Sequence, residues 1–136
     1  WIHKHPDSVT LALGTESREN RNSSMARHDP EVALRQMLDH SREAMILSKG
    51  KSAEELVDDR VLSLAIVRLM EIVGEAANRV PHEKRSEHPE IPWTQIISLR
   101  NRLIHGYDAI DYEILWQILN HDLPELVLSL EKIIRH

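Results

Sequence analysis

From Asp59 to Val80 the chain carries its longest run of apolar residues at helical spacing: Val61, Leu62, Ala65, Leu69, Ile72, Val73, Ala76, Ala77 and Val80, closed by Pro81. A helix so broadly apolar needs other helices to cover it. Within it Gly74, Ala76 and Ala77 form a small-residue patch where a second helix can come close, at a cost of about 1 kcal/mol for an interior glycine.

The covering helices are legible. Asp29-Pro30-Glu31 combines an N-cap, a first-turn proline and an acidic residue, so a helix is expected from Pro30 to Lys49. Leu34, Met37, Leu38, Ser41 and Met45 give it one buried stripe, and Gly50 is its stop. Ser52-Ala-Glu-Glu55 fits a capping box for a short helix before Asp58-Asp59. Pro81 to Pro92 holds three prolines and reads as a loop, with at most a helical turn at Glu83 to Glu87. Pro92 opens a helix expected to reach His105, and Asp111 caps another expected from Tyr112 to Arg135. Pro124 predicts a kink or restart in that helix near Asp122. The expectation is an all-α, antiparallel four-helix bundle with one additional short helix, and leftover apolar surface favours a two-fold dimer.

At 136 residues the chain is one domain by size, and four glycines with no phenylalanine agree with helix. Residues Trp1 to Ser24 are polar and aperiodic; Met25-Ala-Arg27 resembles a native start, so the leader is expected to be flexible or non-native and the domain to span 25–136. The absence of cysteine excludes disulfides and thiolate metal sites, and is compatible with a cytoplasmic location. No apolar run in the sequence reaches membrane-spanning length. His82 and His88 are expected to face solvent, so no metal or other cofactor is expected.

A net charge of −5 argues against gripping long nucleic acid by charge alone. Trp93 to Tyr107, however, contains no acidic residue and carries Arg100 and Arg102, which predicts a local positive site. Arg100 offers a permanently charged fork that fits two phosphate oxygens. His105 adds an imidazole, a group that titrates at about 6.5 when unperturbed and can move protons near neutrality. These are the requirements for cleaving RNA by its own 2'-hydroxyl: a base for the proton, and a cation for the charge that builds on phosphate. On a regular helix the two side chains would point roughly 140° apart, so a bend or a second chain is required. Gly106 could loosen the last turn, whereas Asn101 would share a face with His105 and orient it or bind substrate. Glu71 and Glu75 are open to two readings, a solvated stripe or a support for Arg100 or Arg102. Read without wider context, an Arg and a His at a helix end also serve as ordinary capping residues.

The segment Arg100-Asn-Arg-Leu-Ile-His-Gly-Tyr-Asp108, with Glu71-Ile-Val-Gly-Glu-Ala-Ala-Asn78, His88-Pro-Glu-Ile-Pro-Trp93, Trp116 and Asp122-Leu-Pro124, resembles the HepT-like ribonuclease toxins of the HEPN superfamily. The resemblance covers Met25 to His136. It implies a metal-independent endoribonuclease with Arg100 and His105 as the catalytic pair and Asn101, Arg102 and Tyr107 as substrate-binding or supporting residues. It further implies a homodimer with both motifs in one cleft and a toxin-antitoxin partnership with an MntA-type nucleotidyltransferase that attaches AMP to Tyr107. The alternative is a non-catalytic module that holds a nucleotide or docks the nucleotidyltransferase.

Overall fold

The computed structural model describes residues 29–106 and 109–134. The expected leader, Tyr107, Asp108 and the helix end at Arg135 lie outside them. The described chain runs α1 (Pro30–Ser48), α2 (Ala53–Asp58), α3 (Arg60–Arg79), α4 (His82–Ser86), α5 (Trp93–Ile97), α6 (Leu99–Leu103), β1 (Ile104–His105), β2 (Ala109–Ile110), α7 (Tyr112–Gln117), a π-helical turn (Ile118–Asp122) and α8 (Leu123–Ile134). It is a helical bundle. α3 packs along α1 on one side and against α5 and α6 on the other, while α8 covers α1.

The helix starts follow the side chains that satisfy their first amides. The Asp29 carboxylate accepts from the Glu31 amide, and Ser52 and Glu55 complete a reciprocal capping box. Asp59 accepts from the Leu62 amide to open α3. After α1, Gly50 turns the chain at φ 75°, a left-handed conformation that glycine takes without a Cβ clash.

At the start of α3 the buried face differs from expectation. Val61 is 80 % exposed and Ala65 is also exposed, whereas Ser63, Ile66 and Val67 point inward. Ser63 is tolerated in the core because its hydroxyl donates to the Leu56 carbonyl at the end of α2. Met45 is likewise only partly covered, with Ala44 the buried residue of that turn.

The small-residue patch does what its composition predicts. A Cβ built on Gly74 would lie 2.8 Å from the Ile96 carbonyl oxygen, so α5 reaches α3 through the missing side chain. Gly74→Ala is therefore expected to destabilise the fold by about 1–2 kcal/mol, since overpacking outweighs the roughly 1 kcal/mol gained in helix propensity. Urea unfolding measures this, and a midpoint at or above wild type would show that α5 can recede without cost.

Two segments depart further from simple helices. The helix expected from Pro92 to His105 is two short helices broken at Ser98, whose hydroxyl donates to the carbonyls of Thr94 (3.0 Å) and Gln95 (3.2 Å). It ends at Leu103, because Ile104 and His105 are extended and pair antiparallel with Ile110 and Ala109. In the last helix the expected interruption is the π-helical turn at Ile118–Asp122, with α8 restarting at Leu123 and Pro124 in its first turn. Proline has no N–H to give, and an expanded turn before it accommodates the lost bond.

The loop after α3 is held by two donors. Arg85 donates from Nε to the Val80 carbonyl and from Nη2 to that of Asn78, closing the end of α3. Trp93 Nε1 donates to the carbonyls of Arg85 and His88. His88 is partly buried beside Glu90 at 3.8 Å, not solvent-facing as expected.

Candidate active site

α6 is short and fixed by what it buries. Leu99 and Leu103 are fully covered and Arg102 is 4 % exposed, which turns Arg100 and Asn101 outward. The Arg100 side chain is 68 % exposed, and its Nε meets Glu71 Oε2 at 3.2 Å. Glu71 comes from α3 and is itself held on its other oxygen by Arg68 Nη1 at 3.1 Å. The same Arg68 nitrogen lies 3.7 Å from Glu75 Oε2. One carboxylate thus fixes two guanidinium groups, and because it takes Arg100 at Nε, the terminal fork of that arginine is not the part aligned by Glu71.

His105 is not on the helix at all. The switch to β1 after Leu103 removes the 140° problem of a continuous helix, and with it the shared face expected for Asn101 and His105. Gly106 follows at φ 61°, so the chain reverses directly after the imidazole. His105 is 58 % exposed, and its Nε2 lies 3.0 Å from Asp111 Oδ2. Asp111 Oδ1 accepts from the Ile114 amide to cap α7, and the Asp111 amide donates to the Leu103 carbonyl at 2.8 Å.

Arg100 and His105 are therefore both presented to solvent, each held by a carboxylate from a different element. Arg102 is different. Burial pushes its guanidinium below the usual arginine range, opposed by the charge of Asp122. Its side chain serves the interior rather than the surface, which favours support over substrate binding. Tyr107 lies outside the described residues.

Sequence reasoning missed Arg68 and the contact between Asp111 and His105. Arg68, Glu71 and Glu75 do stand at i, i+3 and i+7, so their shared face was available as a signal. Among the described residues no three His, Asp or Glu side chains converge as metal ligands, and no helix among them is long and apolar enough to cross a membrane.

The family described as ribonuclease HepT-like matches residues 30–133. The chain belongs to the HepT-like ribonuclease family. Its relatives include a "Putative RNase" of Methanocaldococcus jannaschii, 30% identical over 111 residues that cover 82% of this chain and 92% of the relative. A "Putative RNase" of Caldanaerobacter subterraneus subsp. tengcongensis is 40% identical across 64% of this chain and 78% of its own length. A "Probable ribonuclease HepT" of Thermococcus cleftensis is 36% identical across 59% and 73%. No solved structure matches the chain. The matched segment of the HepT-like family contains Glu71, Arg100, His105 and Asp111, so the whole described constellation falls inside it.

Proposed function

We propose that this HepT-like ribonuclease is the toxin of a toxin-antitoxin pair and cleaves RNA without a metal, using Arg100 and His105 as its catalytic residues. The 2'-hydroxyl proton passes to the imidazole, the 2'-oxygen bonds to the adjacent phosphorus, and the bond from phosphorus to the 5'-oxygen breaks. The departing 5'-oxygen takes a proton from an imidazolium, and the upstream fragment keeps a 2',3'-cyclic phosphate. Arg100 stabilises the charge on the non-bridging oxygens through its fork.

The observation that carries this reading is the joint exposure of Arg100 and His105, each anchored from behind by a carboxylate, Glu71 or Asp111. A surface cap needs no such anchoring; a catalytic group does. Asn101, exposed on the same short helix, is a substrate contact. Control is assigned to an MntA-type nucleotidyltransferase antitoxin that attaches AMP to Tyr107, two residues beyond His105 in the chain. A phosphodiester there adds negative charge and bulk that compete with RNA. The protein acts in the cytoplasm as a homodimer, a reading supported by exposed Val57, Val61 and Leu64 at the junction of α2 and α3.

The test is cleavage of an RNA oligonucleotide by the full chain in EDTA, with mass analysis of the product ends and of Tyr107. Cleavage is expected to persist, to leave cyclic phosphate ends, and to stop when the mapped scissile nucleotide is 2'-deoxy. Cleavage of the 2'-deoxy substrate would overturn the mechanism. An inert protein with unmodified Tyr107 would instead favour a nucleotide-binding or docking module.

A further inference from the structure

We infer that Asp111 is the positioning residue for His105: it fixes the imidazole with its proton on Nε2, so that Nδ1 is the nitrogen that exchanges protons with RNA. The inference rests on His105 being the acid-base group proposed above.

A carboxylate can only accept, so a 3.0 Å contact between Asp111 Oδ2 and His105 Nε2 requires the hydrogen to sit on Nε2. In the neutral imidazole the lone pair is then on Nδ1. The carboxylate cannot easily turn away, because its other oxygen accepts from the Ile114 amide at 3.1 Å. The backbone is fixed as well: the Asp111 amide donates to the Leu103 carbonyl, and the neighbouring residues Ala109 and Ile110 pair with His105 and Ile104. The N-cap of α7 is thus locked, through one side chain, to His105, two residues beyond the end of α6. A simple N-cap uses one oxygen, and this one uses both.

The two-handed geometry supplies a sharp substitution. In Asp111→Asn the carbonyl oxygen is still needed to accept from the Ile114 amide, so the NH2 group faces His105. A donor there turns Nε2 into an acceptor and moves the ring proton to Nδ1, the nitrogen that must be free to act as base. Shape and cap are kept while the tautomer is inverted.

The experiment compares wild type, Asp111→Asn and Asp111→Ser as full chains. Serine still caps the helix but has no second oxygen for the ring. The readouts are kcat and KM for RNA cleavage, thermal unfolding, and the 15N resonances of His105, assigned by loss in His105→Gln. The expected result is an Nε2–H tautomer in wild type, an Nδ1–H tautomer in the Asn variant, and no fixed preference in the Ser variant. kcat should fall about 100-fold or more for Asn and about 10-fold for Ser, with KM within about threefold and nearly unchanged unfolding midpoints. A wild-type Nδ1–H tautomer, or either variant with wild-type kcat, overturns the inference. The NMR readout needs no RNA, so a wild-type protein that fails to cleave with Tyr107 unmodified would refute the ribonuclease mechanism while the tautomer was still decided.

Discussion

His105→Ala is expected to lower kcat for RNA cleavage by about 1,000-fold, and Arg100→Ala by a similar factor, each leaving the fold intact. Loss of a positioned general base costs about 100- to 10,000-fold, and loss of a charge-stabilising donor about 100- to 1,000-fold. Because the His105 and Arg100 side chains are 58% and 68% exposed, neither truncation opens a cavity. The two variants should differ in KM. In the proposed mechanism Arg100 contacts phosphate in the ground state as well as in the transition state, so its loss should raise KM too, whereas His105→Ala should act on kcat alone. Arg100→Lys should recover little, since an ammonium is a point charge and cannot bridge two phosphate oxygens as the fork does. Single-turnover cleavage of a labelled oligonucleotide gives both constants. Wild-type kcat in His105→Ala would remove the imidazole from the mechanism. The double variant should be hardly worse than either single one, because groups that act on one transition state are not additive.

What could be read from the chain beforehand divides by the range of the forces involved. Caps are local, so Asp29, Ser52 with Glu55, and Asp111 marked helix starts that the structure repeats. The Gly74 patch announced a close helix approach, and Pro124 an interruption near Asp122, because each rests on a property of a single residue type. The end of the motif helix was not legible in the same way. Its switch to β1 depends on pairing with Ala109–Ile110 across Gly106, a contact that periodicity cannot register. The first turns of α3 misled for a similar reason: Ser63 becomes a core residue only because the Leu56 carbonyl is there to receive its hydroxyl. At the site, Arg100 and His105 were visible by residue type and Glu71 was one of two readings. Arg102 was grouped with Arg100 because both are cations two residues apart, yet a helix places such neighbours on different faces, and only one of them reaches solvent.

That buried arginine leads to the second large effect: Arg102→Met is expected to stabilise the protein by about 1–3 kcal/mol, whereas Asp122→Asn should change stability at neutral pH by about 1 kcal/mol or less. Among the described residues, none of the three Arg102 guanidinium nitrogens has a hydrogen-bond partner, and the charge of Asp122 is the favourable influence on it. An apolar side chain of similar length removes the desolvation cost of that charge, whereas Asn removes only a weak attraction, together with a carboxylate that burial itself disfavours. A double-mutant cycle by urea unfolding is expected to return a coupling of about 1 kcal/mol or less, because Arg102 is the smallest of the influences on Asp122. Acid adds an independent check. Burial raises the Asp122 carboxyl above its ordinary value, so the folded state binds its proton more tightly than the unfolded chain. The contribution of this group to stability is therefore largest below the unfolded carboxylate range and is lost as pH rises through the raised folded value. Subtracting the Asp122→Asn stability curve from that of wild type, both in the Arg102→Met background, should isolate this slope. A coupling above about 2 kcal/mol, or an Arg102→Met variant less stable than wild type, would mean that the buried guanidinium is well compensated by the carboxylate on the π-helical turn.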